Sequence, residues 1–310
     1  LTFYILRRLI LMMVTLLLII TATFFLVHSL PGTPLKNEEK LPPEIRDQIL
    51  HEYGLDQPLY VQYFRFMGGL FKADLGKSLM YDGRDISQML KERFFASAFI
   101  GFQGILIGLI IGGGLGILSA LYQGRWIDNF ATSTSVLGVS IPSFVLAGLL
   151  SFWVGVKWGI LPPALWGSYA HTIMPSLSLS VAVIAQFSRY VRTELVEVLN
   201  QDYIKTARAK GLSKAAVIWR HGLRNALIPA VTVLGPLTVN ILTGSLVVEK
   251  IFGVPGMGAL FVDSIINNDY TAVLGTTIFY SLLIMISVLL IDILYGWIDP
   301  RIRVAGRRGE

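Results

Sequence analysis

The sequence predicts an all-α integral membrane protein with six transmembrane helices, and three observations carry that expectation. Hydrophobic residues fill 54% of the 310 positions and charged ones only 15%, too little polar surface to cover such a chain in water. Several runs without a charged side chain reach the ~20 apolar residues that a helix needs to cross a bilayer. These runs do not alternate as the strands of a membrane barrel would, and lipid permits only helices or closed barrels, because it cannot hydrogen-bond stray backbone groups.

The runs lie roughly at Leu9 to Ser29, Ser97 to Tyr122, Phe130 to Val156, Thr172 to Ser188, Ala226 to Val248 and Val273 to Ile291. The first follows Arg7 and Arg8 as a secretory signal would, but it exceeds the ~7–15 residues of a signal core and ends Phe24-Phe25-Leu26-Val27-His28 without a small-residue cleavage site. It is expected to be retained. Residues 1–30 are thus an N-terminal end plus the first span, 31–96 a segment of its own, 97–298 a core of five spans, and 299–310 a basic tail.

Segment 31–96 is polar and too long for a plain connector, so a small helical unit on the outer face is expected. Pro42-Pro43 suits a helix start, Ile45, Ile49, Leu50 and Tyr53 share a face, and Gly54 suits the stop. After Pro58, Tyr60, Tyr63, Phe64, Met67 and Phe71 recur near helical spacing, as in an interfacial helix lying on the bilayer or against the spans. This unit is either a packed cap or a docking surface.

Within the second run, Gly104, Gly108, Gly112 and Gly116 recur every fourth residue and stack on one helix face, where a second backbone can approach. Pro142, Pro175, Pro229 and Pro236 interrupt later runs and predict kinked helices around a path.

Orientation follows from Lys and Arg, which are retained on the cytoplasmic side of short loops. One side carries Arg7, Arg8, Arg125, then a cluster from Arg189 to Arg224, and finally Arg301, Arg303, Arg307 and Arg308; the short opposite loops hold only Lys157 and Lys250. Both termini are therefore expected in the cytoplasm. The net charge of +6 sits beside membrane ends, so anionic headgroups account for it and nucleic acid is not implied.

Catalysis finds no constellation. The four histidines are scattered without ligand spacing, so no metal site is expected, and the absence of cysteine removes thiol chemistry. Gly76-Lys77-Ser78 resembles the end of a phosphate loop, but the position of the first required glycine holds Phe71. Asp292 is the one candidate for an intramembrane ion site, and anchoring to Arg301 explains it as well. Without a nucleotide site or a paired ion site, the driving force must enter from another chain.

The best place for that chain to dock is the long connection 189–225. It reads as short helices: Thr193 to Asn200, a cap at Asp202, Tyr203 to Lys210, and Gly211 as the stop. Eight residues give about 12 Å of helix, enough to fill a groove. Ala207, Ala209 and Gly211 permit close approach, and Arg208 and Lys210 offer cationic grips.

From Asp202-Tyr203-Ile204-Lys205-Thr206-Ala207-Arg208-Ala209-Lys210-Gly211-Leu212-Ser213, followed by Arg220-His221-Gly222-Leu223-Arg224-Asn225, the sequence resembles the EAA loop of dipeptide and oligopeptide ABC permeases. Where the general importer pattern has Glu-Ala-Ala, this chain has Lys205-Thr206-Ala207, the variant of the peptide branch. Tyr4-Ile5-Leu6-Arg7-Arg8, Gly54-Leu55-Asp56-Gln57-Pro58, Ile141-Pro142-Ser143-Phe144, Val248 to Gly258 and Asp299-Pro300-Arg301 are similar to signatures of the B-type permease. Pro31-Gly32-Thr33-Pro34 and Leu41-Pro42-Pro43-Glu44 are similar to the oligopeptide members.

The resemblance implies a type I ABC importer permease fold with an extracytoplasmic insertion after helix 1, in a bacterial plasma membrane. It also implies a non-catalytic subunit with a homologous C-type permease as partner, two cytoplasmic ATPases that bind ATP and Mg, and an extracytoplasmic binding protein that delivers oligopeptides. The coupling residues it implies are Asp202, Tyr203, Thr206, Ala207, Arg208, Ala209, Lys210, Gly211 and Leu212; residues touching substrate remain unassigned. The competing expectations are an ion-coupled peptide carrier, a dipeptide or nickel ABC permease, and a scaffold without a transport path.

Overall fold

The computed structural model describes residues 2–31, 33–35, 41–81, 83–227, 229, 241 and 245–298, with backbone alone at 2–5, 291–292 and 294–298. Two compact units divide the chain, one of residues 1–96 and 255–285 and one of residues 97–254 and 286–310. Among the described residues the regular elements are helical. Among the described residues four helices are long and apolar enough to span a membrane, or five if one bent helix pair is a single span. The remaining expected span, Ala226 to Val248, falls largely outside the described residues, as do Pro236, the side chain of Asp292 and the basic tail.

In the first unit, α1 (Thr2–His28) is the span expected from the first apolar run. Helix α2 (Pro43–Tyr53) opens after Pro42 and closes where Gly54 turns left-handed at φ 69°, its N–H donating to the His51 carbonyl. Both ends match the proline start and glycine stop. Helix α3 (Leu59–Leu70) lies against the end of α1, with Tyr63 Oη 2.8 Å from Thr21 Oγ1 and the Tyr63 ring stacked on Phe25. Tyr60 and Phe64 stay on its open side. Phe71 is past the helix end rather than on its face.

Helix α4 (Ile86–Leu121) starts well before the charge-free run beginning at Ser97. Thirty-six residues rise about 54 Å, more than the ~30 Å hydrocarbon core, and the boundary between the two units falls within this helix, at Ala96 and Ser97. Buried Ile86, Met89 and Leu90 form a core with Met257, Leu260 and Ala272. Those partners come from α11 (Met257–Ile266) and α12 (Tyr270–Ile298), which follow α10 (Leu246–Phe252) in the chain.

In the second unit the third apolar run is not one helix. Helix α5 (Trp126–Ser140) and helix α6 (Ser143–Leu150), which continues as a wider π turn to Lys157, meet at 98°. Pro142 offers no N–H to the preceding turn, and it pushes Ile141 to extended backbone at φ −88°, ψ 118°. Helix α7 (Ala170–Leu199), by contrast, runs through Pro175.

The glycine ladder packs α4 on α7. A Cβ added at Gly104 would lie 3.0 Å from the Ser176 carbonyl oxygen, at Gly112 2.8 Å from that of Ile184, and at Gly116 2.6 Å from that of Ser188. At Gly108 it would collide with Val183. Backbone meets backbone here because no side chain intervenes.

Candidate functional site: the loop after α7

Helix α8 (Asp202–Ala209) forms where the docking helix was expected, while Thr193 to Leu199 are the last turns of α7 rather than a separate short helix. The cap position is Gln201, in extended conformation and without a side-chain cap bond, and Asp202 is the first helical residue. Its carboxylate meets the positive end of the helix and pairs with Lys205 at 2.8 Å. That pair is solvent-exposed and contributes little.

Gly211 stops the helix at φ 78°, with open space around its Cβ position, so backbone conformation and not crowding demands glycine there. Ser213 Oγ then accepts from the Ala216 N–H, 3.3 Å away, starting α9 (Lys214–Ala216), which widens into a π turn from Val217 to Leu223.

Burial sets Ala207 apart from the other expected coupling residues. Ile204 and Ala207 are buried with Val217, against Val198 and Leu199 from α7. The small size of Ala207 therefore serves the loop's own packing. Asp202, Tyr203, Thr206, Arg208, Ala209, Lys210, Gly211 and Leu212 all face outward. Tyr203 is held in place: its Oη accepts from Asn225 Nδ2 at 3.0 Å, and the same amide donates to the His221 carbonyl. The result is a seated helix whose outer face is cationic, small and free of large apolar groups except Tyr203 and Leu212.

About two turns up α7 from this seat, Arg192 pairs with Asp128 at the start of α5. Asp128 is buried, and it also accepts from Ser119 Oγ at 2.5 Å and from the Gly124 N–H at 2.8 Å. Sequence reasoning counted Arg192 as one of many loop cations and passed over Asp128. A lone carboxylate at the mouth of an apolar run was the available signal. A second buried pair, Ser97 Oγ to Glu249 at 2.6 Å, was equally unforeseen.

Residues 112–304 match the family described as binding-protein-dependent transport system inner membrane component, and residues 1–83 match its N-terminal model. The chain belongs to this family. Among relatives of this permease, the dipeptide transport system permease protein DppB of Lactococcus lactis is 42% identical over 97% of this chain and 99% of its own. The oligopeptide transport system permease protein OppB of Haemophilus influenzae is 40% identical with the same coverage. Solved relatives share the fold: a methionine ABC transporter, MetNI, aligns with TM-score 0.56 at 18% identity, covering 69% of this permease and 97% of that chain. An amino acid ABC transporter crystallised with histidines aligns at TM-score 0.55 and 15% identity, covering 67% and 94%. The helix described above, Asp202–Ala209, lies within the matched residues.

Proposed function

We propose that this permease is a membrane subunit of an ATP-driven peptide importer and that α8 is where its ATPase partners engage. In this reading α8 and both termini are cytoplasmic, the subunit pairs with a homologous C-type permease, and an extracytoplasmic binding protein supplies peptide. ATP and Mg belong to the partner ATPases, and this chain contributes half of a path without catalysing a reaction. The observation that carries the reading is the outward face of α8, seated by Ile204 and Ala207 and stopped by Gly211. Relatives named for dipeptides and for oligopeptides are 42% and 40% identical, which supports peptides as the class and leaves oligopeptides as the finer proposal carried by the segment near Leu41 to Glu44.

The test exchanges exposed residues on that face. Arg208→Glu and Ala209→Asp leave the buried side of α8 untouched, so insertion in the membrane should be normal while ATPase capture and ATP-driven peptide uptake fall at least ten-fold. Normal uptake in both variants, or uptake by this chain alone driven by an ion gradient, would overturn the reading.

A further inference from the structure

We propose that the cleft in the first unit between α1, α2, α3 and the start of α12 binds a short peptide by its two charged ends, an inference that rests on the transport reading above. The cleft encloses about 520 Å³, within the ~300–1,000 Å³ of small-molecule sites. Phe24, Phe66, Leu75, Tyr270 and Leu274 give it an apolar, aromatic lining. Arg65 and Lys77 line it as cations, with Glu52 among its anions. Among the described residues none of these three is in an ion pair, so both signs of charge face the same cleft unneutralised.

The walls are preformed. Arg65 lies across the left-handed turn at Gly54, so closely that a Cβ there would strike its guanidinium. Gln62 Nε2 ties the turn to α3 through the carbonyls of Leu55 and Gln57, at 3.3 and 2.8 Å. Across the cleft Gly76, at φ 81°, brings backbone to within 2.8 Å of Thr271 measured from its Cβ position. A wall fixed before binding lowers the ordering cost of a weak ligand.

The chemistry selects a zwitterion. An ammonium terminus is attracted to Glu52, a carboxylate terminus to Arg65 or Lys77, with a forked pairing open to the guanidinium. The aromatic lining takes an intervening side chain of either polarity. A loop of a partner protein has an apolar side chain to offer but no free termini.

The probe is a photoreactive tripeptide with free termini, applied to the complete transporter in nanodiscs without its binding protein, the adduct being located by mass spectrometry. Adducts within residues 52–85 are expected, displaced by unlabelled tripeptide. Labelling should fall at least ten-fold when the tripeptide is N-acetylated and C-amidated, and likewise in Arg65→Glu. Arg65 is exposed, so Arg65→Gln, which keeps its bulk, should also lose labelling while insertion is unchanged. Equal labelling by the capped tripeptide, or adducts confined to other segments while ATP-driven peptide uptake persists, would overturn the site and leave the transport reading standing. Absence of ATP-driven uptake of any peptide by the unaltered transporter would overturn both.

Discussion

Arg192 donates from Nε and Nη2 to the two carboxylate oxygens of Asp128, at 2.6 and 2.8 Å, joining α7 to α5 through a fork of parallel bonds. Removing one partner of a buried pair costs more than the pair itself contributes, because the other charge is stranded. Arg192→Ala, which strands the buried carboxylate, should therefore destabilise the protein by about 3 kcal/mol, and Asp128→Ala by somewhat less, since the arginine side chain it strands is 32% exposed and can reach water. The joint replacement Asp128→Leu with Arg192→Met should recover most of the loss. Thermal unfolding of the four proteins in one detergent or nanodisc preparation checks this; additive losses would deny that the residues act as a pair.

The glycine ladder separates neighbours of identical composition. Gly116→Ala places a methyl carbon 2.6 Å from the Ser188 carbonyl oxygen, while Gly114→Ala meets nothing within 4 Å. The first should cost about 1–3 kcal/mol through overpacking. The second should be neutral or stabilise by about 0.5–1 kcal/mol, because alanine loses less backbone freedom in a helix. Melting temperatures of the two variants decide it.

On α8 the same aspartate should act in different ways on the buried and exposed faces. Ala207→Asp buries a carboxylate between Ile204 and Val217, so the loop should become protease-sensitive. Ala209→Asp is on the exposed side and should remain protected while losing partner engagement. Limited proteolysis of the permease distinguishes the two. At the stop, Gly211→Val forces a β-branched residue to φ 78°, whereas Gly211→Asn uses a residue that visits this region; asparagine should retain distinctly more uptake than valine.

Asp269 precedes α12 and accepts from the Ala272 N–H at 3.1 Å and from the buried Ser78 hydroxyl, which in turn accepts from the N–H groups of Met80 and Tyr81. Asp269→Ala leaves the Ser78 hydroxyl and the Ala272 N–H without this acceptor and should cost about 1–3 kcal/mol. Asp269→Asn keeps the side chain's shape and one acceptor, so it should cost less. Proteolytic release of segment 71–85 as a function of denaturant measures the difference.

The contrast between Gly104 and Pro142 shows what the sequence discloses. Spacing alone puts Gly104, Gly108, Gly112 and Gly116 on one face, because helical period is a property of the backbone. The angle at Pro142 is not a local property: proline guarantees a missing bond, but α7 runs through Pro175 and α5 breaks before Pro142. Charge-free runs likewise did not mark where the helix begins, since Ile86 to Ala96 are helical with charges among them. The end of α8 followed from its stop residue, Gly211, whereas the expected cap at Asp202 falls one residue inside the helix. The inward placement of Ala207 did not follow, since Val198, Leu199 and Val217 surround it from two other helical segments.

The close seating of α4 on α7 bears on how force would travel. Carbonyl oxygens of Ser176, Ile184 and Ser188 rest on glycines along successive turns, and Val183 and Val191 project between them. Axial slippage of one helix past the other would drive a valine into the next glycine's backbone, so the two behave as a laminated beam and not as separate rods. Because α7 leads into the seat of α8 with one residue pair between them, a load applied at that seat bends both helices of the beam together.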